Sequence, residues 1–190
     1  MRGARSPQLK RFGGHGCPQV ALPDGYGPAR LGSLASLDSA EGFVSRGRTG
    51  RGKTHLATAI GAGAVSQGRP VRYHETAHLV RQLERAREDG RLEAALRDAT
   101  AADLVILDEF GYVPIDVEGA RLPFQVVPDC HGRRSPMITT NIEFSKWGTA
   151  LADDKLAAAP VDRVARHPRL VESDGTSHRM DHALMLEGAE

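Results

Sequence analysis

Apolar positions along this chain follow a repeating order: short runs of consecutive apolar residues alternate with longer stretches where they recur every three or four positions. The first run, Gly42-Phe43-Val44, leads into a glycine-rich segment. Leu56, Ile60 and Ala64 then share one face of a predicted helix that Gly68 ends. Pro70-Val71-Arg72-Tyr73-His74 reads as a strand. Thr76 is placed to cap the next helix, whose apolar stripe is Leu79, Val80, Leu83 and Ala86. Gly90 breaks that helix, and Leu92 and Leu96 mark a shorter continuation. Leu104-Val105-Ile106-Leu107 is apolar throughout and bounded by charge, the pattern of a strand buried on both faces. Ile138-Thr139-Thr140 and Leu170-Val171-Glu172 are further strand candidates. Strands alternating with helices predict an α/β fold with a five-stranded, mainly parallel sheet flanked by helices. Right-handed crossovers then gather the functional loops at the carboxyl ends of the strands.

The front of the chain breaks this order. Nine glycines and prolines between Gly13 and Gly32 interrupt every periodic run, so residues 1–36 are expected to be irregular or disordered. The expected division is therefore 1–36, a compact domain over 37–180 and a short tail at 181–190. Charge is nearly balanced, 25 basic against 24 acidic side chains, which excludes a polycation but permits a local basic patch. Arginine dominates the basic residues, and it suits forked contacts with phosphate and carboxylate. Cys17 and Cys130 form no CxxC pair, which speaks against a metal site or disulfide framework. The basic start has no apolar segment behind it, and no stretch approaches the roughly 18 apolar residues of a membrane span. A cytoplasmic protein without membrane contact is the expectation.

Chemistry concentrates at three places. Gly47-Arg48-Thr49-Gly50-Arg51-Gly52-Lys53-Thr54 fits GxxxxGK[ST], with a strand before it and a helix after. Glycines let backbone N–H groups converge on phosphate oxygens, and the helix start turns its positive dipole end to the same anion. Lys53 can reach the β- and γ-phosphates of ATP, and the Thr54 hydroxyl can ligand Mg²⁺. With this chain's glycine, lysine, serine and threonine content, about 0.005 chance matches are expected. Asp108-Glu109 closes the long apolar run: Asp108 can hold the Mg²⁺ shell, and Glu109 can take a proton from an attacking water. The extra strand–helix unit between the two motifs argues against the small-GTPase arrangement. Asn141 ends the Ile138–Thr140 strand, which is expected between the other two motif strands, so it is a candidate for positioning that water.

These residues, in this order, resemble the IstB-type transposition helper ATPases, within the AAA+ class of P-loop NTPases that also holds the DnaC-type helicase loaders. The resemblance runs from Leu34 to Arg179. It rests most on GKTHLA at Gly52 to Ala57, LVILDEFGYVP at Leu104 to Pro114 and TTNIEFSKWG at Thr139 to Gly148. It implies an ATPase that uses ATP and Mg²⁺, forms homo-oligomers on DNA without marked sequence preference, and supports a transposase. It assigns phosphate binding to Lys53 and Thr54, with His55 matching the family beside them. Metal binding falls to Asp108, the water to Glu109 and a sensor role to Asn141. Arg163, after Asp162, takes the place of an arginine finger reaching a neighbouring subunit, and Arg179 that of a second sensor. The chain departs from the family at Ser45 and Arg46, at Arg48 and Arg51, and at Pro123 and Pro128, where the family has an unbroken helix. The family's helical front is replaced by the Gly/Pro-rich segment. Two alternatives stay open: a shortened or decayed remnant that binds nucleotide without hydrolysis, and a helicase loader.

Overall fold

The apolar runs become strands and the periodic stretches become helices. The computed structural model describes residues 20–21, 33–111, 117–130, 132–143 and 169–173. Its strands are β1 (Val20–Ala21), β2 (Phe43–Arg46), β3 (Val71–Glu75), β4 (Leu104–Asp108), β5 (Ser135–Thr140) and β6 (Arg169–Ser173). The helices are α1 (Ala35–Asp38), α2 (Lys53–Ser66), α3 (Thr76–Glu88), α4 (Leu92–Ala99) and α5 (Val117–Cys130). The strands form one sheet in the order β1-β6-β2-β5-β4-β3. Every neighbouring pair is parallel except β1 and β6. The described sheet thus has six strands where five were expected, the added one being the two-residue β1 within the Gly/Pro-rich front, where composition predicts no element. β5 lies between β2 and β4, as expected for the strand that ends at Asn141.

Helices cover both faces of the sheet, and the alternation along each strand divides the core. In β4, Leu104 and Ile106 point into a cluster with Leu34, Leu37, Phe43, Leu56, Ile60 and Met137, on the side of α1 and α2. Val105 and Leu107 point the other way, into a cluster with Leu79, Leu83, Leu96, Leu122, Val126 and Ile138 from α3, α4, α5 and β5. All five residues of β4 are buried, which is why its sequence does not alternate. Small residues let α2 lie close to the sheet. A Cβ at Gly61 would stand 3.0 Å from the Ile106 Cδ1.

Helix ends follow local chemistry at Gly68 and Gly90. Both adopt left-handed backbone, with φ of 77° and 69°. At each, the following residue's N–H returns to a carbonyl in the last turn: Arg69 to Ala64 at 2.9 Å and Arg91 to Ala86 at 2.6 Å. These are the closing bonds of Schellman motifs. Thr76 does not behave as expected. Glu75 holds the cap position of α3, Thr76 is its first helical residue, and the Thr76 hydroxyl donates to the Asp108 carbonyl oxygen at 2.7 Å. Thr76 thus sits one residue inside the cap position, and its hydroxyl hydrogen is used by β4.

Two departures from the family pattern are absorbed by the fold. β2 is paired on both sides along its whole length, with Arg46 opposite Thr140 and Glu172. Arg46 is partly exposed, whereas Ser45 is fully buried with no partner for its hydroxyl among the described residues. Pro123 and Pro128 both lie inside α5. Each removes an N–H from the helix ladder at a cost of about 3 kcal/mol in an interior position. Burial of Leu122, Val126, Val127 and Cys130 in the α3–α5 cluster offsets that cost.

Candidate functional site

The segment Gly47–Gly52 joins β2 to α2 beyond the carboxyl end of the sheet, beside the point where the strand order reverses. The Gly47 N–H donates to the Thr140 carbonyl at 3.3 Å, which ties the start of the loop to the end of β5. Gly50 and Gly52 have φ of 86° and 80°, a region that a side chain would strain, and Gly52 caps α2. The Lys53 ammonium is folded over the loop and donates to the carbonyl oxygens of Gly47 at 2.6 Å and Arg48 at 2.9 Å. Arg48 and Thr49 are exposed, and Gly47, Gly50, Arg51 and His55 are partly so.

Asp108 is the centre of the polar network. It ends β4 with 4% of its surface exposed. Its Oδ1 accepts from the Thr54 hydroxyl at 3.1 Å and from the Thr139 hydroxyl. Its Oδ2 accepts from the Tyr73 hydroxyl at 2.5 Å. Three hydroxyl donors thus replace the water that a buried carboxylate gives up. Burial, and then the bond to Asp108, push the Tyr73 phenol far above its usual range, so it keeps its proton and remains a donor.

A second set of bonds joins the turns after β4 and β5. Glu109 is exposed and adopts left-handed backbone with φ of 57°, costing on the order of 1 kcal/mol for a non-glycine residue. Its N–H donates to the Thr139 hydroxyl at 3.0 Å, and the Phe110 N–H donates to the Thr139 carbonyl at 2.8 Å. The Thr140 hydroxyl donates to the Phe110 carbonyl at 2.9 Å and accepts the Ile142 N–H at 3.1 Å. Asn141 is exposed on the second of these turns.

The fold therefore brings together Gly47 to Thr54, Asp108, Glu109 and Asn141 at one end of the sheet. Arg163 and Arg179 lie outside the described residues. Tyr73, Thr76 and Thr139 bond Asp108, and sequence reading singled none of them out for the candidate site. The available signal for Tyr73 and Thr139 was a polar group two residues or fewer from the carboxyl end of a strand flanking β4. The donor set fits Mg-ATP: Thr54 and Asp108, already within hydrogen-bond reach of each other, would hold Mg²⁺, while the loop amides and Lys53 would hold phosphate. Among the described residues no cluster of three or more His, Cys, Asp or Glu could hold a metal. Mg²⁺ usually takes one or two carboxylates and fills its shell with phosphate and water. No helix among the described residues is long and apolar enough to cross a membrane.

The family described as IstB-like ATP binding protein matches residues 25–185. The chain is 42% identical over 151 residues to the insertion sequence IS232 ATP-binding protein of Bacillus thuringiensis subsp. berliner, covering 79% of this chain and 60% of that one. It is 37% identical over 156 residues to the IS5376 ATP-binding protein of Geobacillus stearothermophilus, covering 82% and 62%. The chain thus spans about three-fifths of the length of these relatives. In fold it is similar to the DnaC helicase loader, with TM-score 0.61, 19% identity and coverage of 77% and 88%. It is also similar to AMPPCP-bound DnaA from Aquifex aeolicus, with TM-score 0.64, 19% identity and coverage of 88% and 51%. The architecture is that of an AAA+ P-loop protein.

Proposed function

This chain belongs to the family of IstB-like ATP binding proteins, and from that premise we propose that it is a DNA-associated ATPase assisting a transposase. The observation that carries the reading is the direct bond from Thr54, at the end of the phosphate loop, to Asp108, at the end of β4. In this reading the amides of Gly47 to Gly52 and the Lys53 ammonium bind the β- and γ-phosphates, exchanging the loop carbonyls that Lys53 now contacts. Thr54 and Asp108 would hold Mg²⁺, which when bound would supply charge neutralisation at the phosphates. Glu109, exposed beside Asp108, takes a proton from water as the water oxygen bonds to the γ-phosphorus and the bridging P–O bond breaks, leaving ADP and phosphate. Asn141 orients that water. Arg163 supplies a finger to a neighbouring copy in a homo-oligomer on DNA, and Arg179 senses the bound nucleotide. A cytoplasmic location and a transposase partner accord with the insertion-sequence names of the relatives.

The test is ATP turnover by the purified chain with and without double-stranded DNA, beside Lys53→Ala. The expected result is DNA-stimulated hydrolysis that Lys53→Ala reduces to background. DNA binding should weaken steeply with salt, as phosphate contacts require. Absence of turnover with DNA present would sink the ATPase reading. Tight nucleotide binding without turnover would support a binding-only protein in its place.

A further inference from the structure

Asp108 is held by more than the residues that sequence motifs assign to it. Tyr73 belongs to β3, the strand that flanks β4 on the side away from the phosphate loop. In the parallel register Tyr73 lies opposite Ile106, so it shares a sheet face with Ile106 and, two residues on, with Asp108. The ring packs against the cluster containing Ile106, Phe43 and Leu104, and the hydroxyl reaches Asp108 Oδ2 at 2.5 Å. The other carboxylate oxygen, Oδ1, faces the hydroxyls of Thr54 and Thr139. A carboxylate has two oxygens and one torsion that exchanges them. With Oδ2 anchored on an apolar-packed ring, Oδ1 stays directed at Thr54.

We propose that Tyr73 is a positioning residue that orients Asp108 toward the Thr54 hydroxyl and so sets the Mg²⁺ dependence of nucleotide binding. This rests on the reading of the loop as a Mg-nucleotide site. Packing of the ring needs no hydroxyl, so Tyr73→Phe removes the anchor and leaves the apolar contacts. Loss of the anchor frees the carboxylate to turn. The metal-assisted part of binding weakens, and the phosphate–loop contacts, which do not involve Asp108, remain.

The experiment measures the dissociation constant of a fluorescent ADP analogue for the wild type, Tyr73→Phe and Lys53→Ala, each in Mg²⁺ and in EDTA. Expected is a loss of about 3- to 10-fold for Tyr73→Phe in Mg²⁺, a fraction of the full worth of one hydrogen bond to a charged group, and no change in EDTA. Lys53→Ala should weaken both arms. In an Asp108→Asn background Tyr73→Phe should have no further effect on the Mg²⁺ arm, and this holds even if the single variants differ in thermal stability. Equal losses in Mg²⁺ and EDTA would show a packing role alone and overturn the proposal. An unchanged Mg²⁺ arm would do the same. A wild type whose binding ignores Mg²⁺ would instead remove the reading of the site on which the proposal rests.

Discussion

Thr139 illustrates how much one hydroxyl can organise. It donates to Asp108, accepts the Glu109 N–H at 3.0 Å, and is 1% exposed. The Glu109 backbone, left-handed at φ of 57°, depends on that acceptor for its place. Thr139→Val keeps the branched shape and removes the oxygen, leaving the part-buried Glu109 N–H and the buried Asp108 Oδ1 each short of a partner. The expected loss is about 1–3 kcal/mol of unfolding free energy, read as a lower urea midpoint with an unchanged slope. Lys53, Thr54, Asp108 and Glu109 were legible in the sequence because nucleotide chemistry demands those residue types at those spacings. Thr139 and Tyr73 were not. Their importance comes from which carboxylate they touch, and a Tyr or Thr in a strand is as often a packing residue. Arg46 shows the opposite case, a charged residue at a strand end that the structure leaves partly exposed.

Elements form where burial repays them, and α5 is the clearest example. Its two prolines argue for a break, yet Leu122, Val126, Val127 and Cys130 hold a face of about two and a half turns against α3 and α4. Tertiary packing overrides local propensity here. Pro128 is only partly buried and lies close to the end of the helix, so its removal costs little packing. Pro128→Ala is expected to stabilise the protein, by about 1–3 kcal/mol, seen as a higher thermal midpoint. The helix stops at Gly68 and Gly90 were legible because left-handed backbone selects glycine whatever surrounds it. The cap at Thr76 was misread, since its hydroxyl answers to β4 rather than to its own helix.

At the scale of the whole molecule, stability should depend on pH through His74. Burial lowers its pKa from the ordinary 6.5, opposed by the Ala99 carbonyl that accepts its Nε2–H at 3.0 Å. Arg72 and His78 also disfavour the charged ring, and Asp98 favours it. The folded protein thus keeps His74 neutral at pH values where the unfolded chain has taken up a proton. Its contribution is complete above pH 6.5 and is lost as pH falls from there toward the lower folded value. The urea midpoint should fall between pH 7.5 and 5, and His74→Gln should make that fall smaller. An equal fall in the variant would show that other groups carry it. Cys130 is shifted by its own burial, which pushes its thiol up to about 12. Sequence alone determined the alternation of strands and helices, the phosphate loop and the acidic pair, because each depends on local periodicity or on a fixed set of residues that the chemistry needs. Tertiary structure decided the strand order, the two-sided core, the course of α5 through its prolines, and the hydroxyl shell around Asp108. The strand pairs and the side-chain bonds to Asp108 join residues 31 or more positions apart, and single-chain spacing carries no record of which strand lies beside which.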